Sequence, residues 1–363
     1  MPPCIAIQII AYWSPEGEVD LGKCLASLAA QTYPREQLTI VIVDNPSPQG
    51  SASAYLKEQW LPKSGKEMSK IVLIESKSNT GFAGGHELGL VASKEAGADF
   101  IYLLNQDAFL APDALEKVVA VAVADPTLAV VQSRVMLAQE PQKLNSRGNA
   151  LQLFGFGYAL GEGQMVAEAA NSKTPVFYAS GAAVLVRVAA LDVIGGLFDA
   201  RYFMYHEDTD LSWRARLAGL GVGYAESSVA YHRYEFSRSL KKFYWIERNR
   251  WMVFLSDFKL ATICLLLLPM LAVDIVLFLY ALKSGWWTEK IKSWGFFFQP
   301  STWSWLAQRR ALAKRIRRVS DHEIITHMAA TVESHQVVSR WKQMFVDPLL
   351  RLFRQVVLWV VRW

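Results

Sequence analysis

The segment from residue 41 to residue 47 reads Val41-Ile42-Val43-Asp44-Asn45-Pro46-Ser47, a β-branched run that ends in an acid, an amide and a proline. Short β-branched runs closed by turn residues are typical of buried strands. Similar apolar runs occupy residues 5–12, 71–75 and 100–105, and amphipathic segments of helical length lie at 19–31, 52–60, 85–96 and 112–124. This alternation predicts an α/β fold with a doubly wound parallel sheet covered on both faces.

Polar residues follow the predicted strands. The carboxyl ends of parallel strands meet at one edge of a sheet, where ligands bind, so Asp44, Asn45, Asn105 and Asp107 are predicted to share a rim. A glycine-rich segment, Asn79-Thr80-Gly81-Phe82-Ala83-Gly84-Gly85, precedes a predicted helix and would let backbone amides approach a phosphate. It matches neither the P-loop nor the dinucleotide-binding motif, and an acid such as Asp44 directly after a buried strand is, taken alone, more often a turn or helix cap than a functional residue.

Two acidic motifs suggest chemistry. Asn105-Gln106-Asp107 suits a divalent cation shared with substrate phosphates, although an Asx turn has the same composition. Glu207, Asp208 and Asp210 place three acids within four residues of an apolar stretch, which is costly unless the acids are functional or paired. A solvated, acidic helix N-terminus is the structural alternative for this second motif.

Composition limits the function classes. The 363 residues are 52% hydrophobic and 20% charged, which excludes a disordered chain, and the net charge of +5 is too small to indicate nucleic-acid binding. Cys4, Cys24 and Cys264 fit neither a disulfide framework nor a zinc site and are expected to be reduced thiols. The first ten residues lack the features of a signal peptide, so the catalytic part is predicted to stay in the cytoplasm.

Residues 251–363 are predicted to form a helical membrane-association region after a catalytic domain at 1–250. Within it, 260–282 is apolar, 309–318 is basic, and 348–363 is an amphipathic, cationic tail suited to an anionic bilayer surface. A spanning helix at 260–282 would put the basic cluster on the far side of the membrane, so a broken, re-entrant or interfacial hairpin is favoured. A buried pair of core helices is the remaining alternative.

Four motifs together resemble the inverting GT-A glycosyltransferases of family 2, especially the bacterial rhamnosyltransferase branch. They are Asn79–Gly85, Asn105–Asp107, Gly195-Gly196-Leu197-Phe198-Asp199 and Tyr205–Arg214, and the resemblance covers residues 5 to about 250. It implies a GT-A domain, a nucleotide-sugar donor and a divalent metal, Mg²⁺ or Mn²⁺. It further implies a general base that deprotonates the acceptor hydroxyl.

The resemblance also implies residue roles. Asp44 would pair with the imide of a uracil or thymine base, and the nucleotide-sugar pocket would be formed with Asn79, Gly81, Gly84, Gly85, Asn105 and Asp107. Asp107 would bind the metal together with His232. The catalytic acids would be Asp208, as general base, and Glu207. Two arginines, Arg248 and Arg250, would contact the diphosphate or the acceptor, with docking on anionic lipid as the alternative role for their segment.

Some features depart from the family pattern. Asn105-Gln106-Asp107 supplies one carboxylate where the family has a DxD element, and His86-Glu87 stands where many relatives carry asparagines. Glu207 and Asp210, as like-charged neighbours, are expected to raise the pKa of Asp208.

The predicted function is transfer of a sugar, with rhamnose favoured, from a dTDP- or UDP-sugar to a lipid-linked saccharide. The site of action would be the cytoplasmic face of a bacterial inner membrane. One rival function is a catalytically impaired scaffold in a polysaccharide assembly complex. The other is a nucleotidyltransferase, for which Ala11–Pro15 supplies no basic nucleotide-binding signature.

Overall fold

The computed structural model describes residues 1–169, 174–233, 240–333 and 342–363. The strands are β1 Ile5–Tyr12, β2 Leu38–Asn45, β3 Lys70–Glu75, β4 Phe100–Leu104, β5 Ala108–Leu110, β6 Leu128–Leu137, β7 Glu140–Ser146, β8 Asn149–Leu151, β9 Gly157–Ala159, β10 Ala183–Arg187 and β11 Gly221–His232. The helices are α1 Pro15–Ala29, α2 Ser53–Gln59, α3 Gly81–Glu95, α4 Ala114–Ala124, α5 Val166–Ala169, α6 Val188–Ile194, α7 Glu207–Leu217, α8 Lys242–Asp257, α9 Leu260–Ser284, α10 Trp287–Gly295, α11 Pro300–Ile316, α12 Asp321–Thr326 and α13 Asp347–Val360.

A nine-stranded sheet in the order β3-β2-β1-β4-β10-β6-β11-β5 organises the molecule, with β7 paired to β6. β3, β2, β1 and β4 run parallel, as predicted. β10 runs antiparallel to both of its neighbours, and β5 is antiparallel to β11, so the sheet as a whole is mixed; these strands lie outside the four runs for which the parallel sheet was predicted. A strand buried on both faces reads as the same apolar run in either direction, so the residue pattern does not reveal its orientation.

The glycine-rich segment forms the first turn of α3, which begins at Gly81 rather than at the predicted residue 85. Gly81 has φ +70°, and a Cβ there would lie 2.4 Å from the Phe203 carbonyl oxygen. A Cβ on Gly85 would lie 2.9 Å from Ile10 Cδ1 of β1. These glycines therefore let the start of α3 approach both the sheet and the segment around Phe203.

The C-terminal helices complete the core on one face of the sheet. Trp213 of α7, Met252 of α8, Leu266 of α9 and Val357 of α13 belong to one buried cluster. The predicted division after residue 250 falls inside α8, so the two regions share this helix and this core.

α9 is a continuous 25-residue helix that contains Pro269, so the predicted break within residues 260–282 does not occur. In the part of the chain that the structure describes, it is the one helix long and apolar enough to cross a membrane. The basic cluster at 309–318 is only partly available to a bilayer. Arg309 is buried against Asp210, and Arg310 donates to the carbonyls of Leu255 and Phe258.

Asp210 joins α7 to α11 through a buried ionic network. Its Oδ2 accepts a 2.8 Å hydrogen bond from Arg214 Nε, and its Oδ1 is bonded to Arg309 Nη2 and to the Tyr202 hydroxyl. Burial alone would raise the pKa of Asp210, but the Arg309 and Arg214 guanidiniums hold it below the usual value. Asp210 therefore serves the fold, whereas its neighbours Glu207 and Asp208 remain available to a ligand.

We predict that Asp210→Asn lowers the free energy of unfolding by about 3–5 kcal/mol, because two buried guanidiniums lose their shared carboxylate. Urea unfolding at neutral pH measures this loss. Since folding lowers the pKa of Asp210, the stabilisation is present at neutral pH and disappears as the pH falls from ~3.9 toward the lowered value. Asp192→Asn, at an exposed ion pair with Lys94, is the matched control and should leave the unfolding midpoint unchanged. Equal midpoints for both variants would refute the structural role of Asp210.

Candidate active site

A cavity of about 600 Å³ opens at the carboxyl ends of β1 and β4. Its lining comprises Tyr12, Phe82, Asn105, Asp107, Ser180, Gly181, Ala182, Met204, Tyr205, Glu207, Asp208, His232, Arg233, Lys241, Lys242 and Trp245. A second cavity of about 320 Å³ shares Tyr12, Phe82, Asn105, Asp107 and Met204 with the first, and extends toward Asn45, Asn79 and Gly81. The two cavities form one groove with an amide-lined end and an acid-lined end.

Asp107 and His232 meet at the centre of this groove, although 125 positions separate them in the sequence. His232 ends β11, which pairs with β5 just after Asp107, and its Nε2 lies 3.3 Å from Asp107 Oδ1. The Asn105 amide nitrogen is 3.2 Å from the same Nε2. The structure thus brings together a carboxylate, an imidazole nitrogen and an amide.

Asn145 of β7 orients the histidine and was not identified from the sequence. Its Oδ1 lies 3.0 Å from His232 Nδ1, a distance at which a protonated Nδ1 donates a hydrogen bond to the amide oxygen. The Nε2 lone pair then faces Asp107 and Asn105. A second hydrogen bond of this kind is the usual device that orients a metal-binding histidine. Nothing in the sequence around Asn145 signals this contact, because it depends on the pairing of β7 with β6.

Asp208 lines the acid end, in the first turn of α7. Its Oδ2 accepts from Gly181 N at 3.3 Å and its Oδ1 accepts from Thr209 N at 2.7 Å. Burial raises the pKa of Asp208 to about 6, although these donors oppose the shift. The raised pKa was expected, but its main cause is burial rather than the like-charged neighbours, since Asp210 points away into its ionic network.

Glu207 is a second acid on the same wall. Burial, and then the neighbouring Asp208 carboxylate, raise the pKa of Glu207 well above its usual range. Within the described residues, its Oε2 is buried and makes no hydrogen bond. Glu207 thus adds to the cavity wall a carboxyl group with a raised pKa and, among the described residues, one oxygen without a hydrogen bond.

The segment Phe203–His206 carries unusual backbone angles at the wall of the cavity. Phe203, Tyr205 and His206 have φ of 64°, 67° and 66°, values that residues other than glycine rarely adopt. The Asn249 side-chain amide binds the carbonyls of Tyr202, Met204 and Tyr205 at 2.7–2.9 Å and holds the segment in place. Such strain persists only where surrounding contacts maintain it, often at functional sites.

Arg248 and Arg250 do not line the groove, which contradicts their predicted contact with a diphosphate. Arg248 is buried and donates to the carbonyls of Arg201 and Tyr202. Arg250 is also buried and forms ion pairs with Glu247 and Asp274. Both guanidiniums point into the protein because their partners are the backbone and carboxylates of packed helices. The cations in the cavity lining are Arg233, Lys241 and Lys242.

The other predicted donor-site residues have mixed positions. Asn79 and Gly81 line the smaller cavity, and Asn79 Oδ1 accepts from Asn45 Nδ2 and Gly81 N. Asp44 lies outside the lining of both cavities, and its two oxygens accept from Ser51 Oγ and Ala52 N at the start of α2.

Gly84 and Gly85 are likewise buried in α3, outside the lining of both cavities. Asn45, one position after Asp44, does line the smaller cavity, and its Oδ1 accepts a hydrogen bond from Thr80 N.

The donor set at the groove centre suits a divalent metal. Asp107 offers a carboxylate and His232 an oriented imidazole, but in the described residues no third histidine, cysteine or acid joins them. Such a two-ligand site is typical of Mg²⁺ or Mn²⁺ that completes its shell with phosphate oxygens and water. A half-turn of the Asn105 amide would present its Oδ1 to the same point.

The fold is similar to that of several solved glycosyltransferases. GalNAc-T7, crystallised with UDP, GalNAc and Mn²⁺, aligns with 71% of this chain and 48% of its own, at 14% identity and a TM-score of 0.53. The mannosyltransferase PcManGT from Pyrobaculum calidifontis, in complex with GDP-Man and Mn²⁺, aligns with 87% of this chain and 84% of its own, at 14% identity and a TM-score of 0.52. These likenesses confirm the GT-A fold.

The sequence comparisons are more specific but partly local. Over 63 residues the chain is 46% identical to the N-acetylglucosaminyl-diphospho-decaprenol L-rhamnosyltransferase of two Mycobacterium tuberculosis strains. That match covers 17% of this chain and 20% of the relative. A family model described as "Glycosyltransferase like family 2" matches residues 2–253, more than half of the chain. The chain therefore belongs to this glycosyltransferase family, as the resemblance of its motifs predicted.

Proposed function

We propose that this glycosyltransferase moves a sugar from a dTDP- or UDP-sugar to a lipid-linked saccharide, with inversion at the anomeric carbon. The supporting observation is that the half-buried Asp208 and the Asp107–His232 pair line the same cavity. Rhamnose is the favoured sugar because the partial relative is a rhamnosyltransferase that acts on a lipid-linked acceptor, as its name states. The proposed location is the cytoplasmic face of a bacterial inner membrane.

Asp208 accepts the proton of the acceptor hydroxyl in the proposed reaction. The acceptor oxygen forms its bond to the anomeric carbon while the bond from that carbon to the diphosphate oxygen breaks. With one base and no covalent intermediate, attack comes from the face opposite the diphosphate. The raised pKa of Glu207 favours its protonated form, which can donate a hydrogen bond to the sugar or the acceptor and thereby orient it.

Asp107, His232 and the Asn105 amide would hold the divalent metal, which offsets the charge that develops on the leaving diphosphate. Arg233, Lys241 and Lys242 add positive charge to the same cavity lining. The groove extends from these cations to Asn45, Asn79 and Gly81. The end lined by these two asparagines and the glycine is proposed to receive the nucleoside. Asp44 then supports the site through its contacts at the start of α2, and base recognition by Asp44 remains a prediction.

The first test is nucleotide binding, since it needs no acceptor. We expect UDP or dTDP to raise the melting temperature of the purified protein only when Mg²⁺ or Mn²⁺ is present, and GDP and ADP to have little effect. At a ligand concentration ~100 times Kd, binding adds ~2.7 kcal/mol of stability, which thermal shift detects readily. If no nucleotide shifts the melting temperature, the catalytic proposal fails and the impaired scaffold is favoured.

We predict that Asp208→Asn reduces kcat by about 10²–10⁴, the usual contribution of a general base, while Kd for the nucleotide stays within a factor of two. Glu207→Gln is the matched control, because glutamine mimics the protonated carboxyl group that the raised pKa of Glu207 favours, and it should retain most of the activity. Turnover of both variants with a nucleotide-sugar donor and extracted lipid-linked acceptors measures the difference. Equal losses would refute the separate roles of the two acids.

The pH dependence follows from the raised pKa of Asp208. The carboxylate is the base, so kcat should be constant above about pH 7 and fall tenfold per pH unit below a pKa of about 6. A pH–rate profile at saturating donor measures this limb. A limb near pH 4, the ordinary value for aspartate, would contradict the assignment.

Asn145→Leu tests the orientation of His232. Without the acceptor for Nδ1–H, the imidazole loses its fixed tautomer, and the metal affinity should fall by about 10–100-fold. The Mn²⁺ concentration needed for half of the nucleotide-dependent thermal shift measures this change. The unliganded melting temperature of the variant separates a loss of folding from a loss of metal binding. An unchanged Mn²⁺ requirement would remove His232 from the proposed metal site.

A further inference from the structure

α9 contacts the rest of the protein along its whole length. Its buried residues lie on one side of the helix: Thr262, Ile263, Leu266, Met270, Asp274 and Ala281. From Thr262 to Ala281 this stripe is ~28 Å long. A helix that left the protein to cross a bilayer would lack such a stripe at most of its positions.

A buried charge cluster fixes the middle of α9 to its neighbours. Asp274 Oδ1 accepts hydrogen bonds from Arg250 Nη2 of α8 at 2.5 Å and from Lys290 Nζ of α10 at 2.7 Å. Glu247 of α8 accepts from the same two cations. If α9 crossed a bilayer, α8 and these four charges would lie at the depth of the hydrocarbon centre. Asn249, which holds the active-site segment Phe203–His206, would lie at the same depth.

The opposite side of α9 is apolar and exposed. Its outward residues include Leu260, Cys264, Leu268, Leu271, Ile275, Leu279 and Leu282. The C-terminal helix α13 carries a second exposed stripe, formed by Leu349, Leu352, Val356, Trp359 and Val360. Trp363 Nε1 donates to Thr262 Oγ1 at 2.9 Å and so links the end of the chain to the first turn of α9. Contiguous apolar surface of this kind marks an interaction site.

Cations accompany these apolar stripes. Arg351 is exposed on α13, and Arg362, also exposed, lies two residues beyond the end of this helix and donates to the Trp359 carbonyl. Lys283 is exposed in the last turn of α9. Apolar residues that enter the headgroup layer, with arginines and lysines beside them, complement an anionic lipid surface. This charge favours a bilayer over an apolar protein partner.

We propose that α9 and α13 lie in the plane of an anionic bilayer, with their exposed apolar faces at the boundary between headgroups and acyl chains, and that α9 does not cross it. This deepens the proposed function and rests on it for the lipid-linked acceptor. Phe243 stacks on Trp286 with ring centroids 4.6 Å apart, so the end of α9 adjoins Lys242 in the cavity lining. An acceptor diphosphate at the headgroup level would then be close to the cavity.

Depth measurements distinguish an in-plane helix from a spanning one. Single labelled cysteines at three outward positions of α9 would be compared. The first is the native Cys264, and the other two are Leu271→Cys and Leu282→Cys, each combined with Cys264→Ala. All three proteins also carry Cys4→Ser. Cys24 is buried and can stay. In vesicles of phosphatidylcholine and phosphatidylglycerol, quenching by lipids with nitroxides at known depths reports the position of each label.

An in-plane helix places all three labels at similar shallow depths, ~5–10 Å below the headgroup boundary. A spanning helix places position 271 near the centre of the ~30 Å hydrocarbon layer, with positions 264 and 282 toward opposite surfaces. The second pattern would overturn the proposal. The vesicles contain neither donor nor acceptor, so the nucleotide-binding test of the proposed function is unaffected by the result.

Charge variants test the surface itself. Leu268→Glu and Trp359→Glu should each weaken co-sedimentation with the anionic vesicles by about tenfold or more, because each removes a large apolar contact. Val123→Glu, at an exposed position on α4, is the matched control and should bind as the unmodified protein does. Equal binding of all variants would overturn the proposal. The proposal would also be overturned if the protein forms a dimer and Leu268→Glu dissociates that dimer without changing vesicle binding. In that case the apolar surface binds a second copy of the chain and not lipid.

Discussion

The candidate site depends on one side-chain amide. Asn249 of α8 binds three main-chain carbonyls of the segment from Tyr202 to Tyr205, and that segment includes residues with positive φ. The same segment leads directly into α7, whose first turn presents Glu207 and Asp208 to the cavity. Gly81 must lack a side chain because the Phe203 carbonyl lies so close to it. The amide-lined and acid-lined ends of the groove are thus held against one another by a strained segment and the helix behind it.

The helix that carries Asn249 is itself held by charge. Glu247 and Arg250, two positions before and one position after it, enter the buried cluster with Asp274 and Lys290. Removing one member would leave an unpaired buried charge, which is far more costly than the loss of a surface ion pair. Arg248 and Arg250, which resemble substrate contacts in the sequence, therefore hold α8 and the Tyr202 backbone in place and do not contact the groove. The groove itself is lined by Arg233, Lys241 and Lys242.

Much of the fold follows from the sequence, because strand–helix alternation and the family motifs both specify the first half of the sheet. β1 has the predicted bounds, and Asp107, His232 and Asp208 line one cavity. The direction of a strand does not follow from the sequence in the same way, because the apolar run of β10 has the same pattern in either direction. Asn145 and Asn249 were not identified because their roles depend on contacts between elements distant in sequence. Arg248 and Arg250 show the opposite error. Their charge suggested contact with a ligand, but both guanidiniums are buried and are bound by backbone carbonyls and carboxylates of the protein itself.

The shared core has a consequence for the order of assembly during synthesis. The sheet is complete once β11 has emerged from the ribosome, but the active-site segment is held only when α8 docks. The charges of α8 are in turn compensated only after Lys290 of α10 has been made. By then the apolar face of α9 is already exposed. In the proposed arrangement in the bilayer plane, α9 would contact lipid before Glu207 and Asp208 are fixed, so attachment to the membrane would precede competence for transfer.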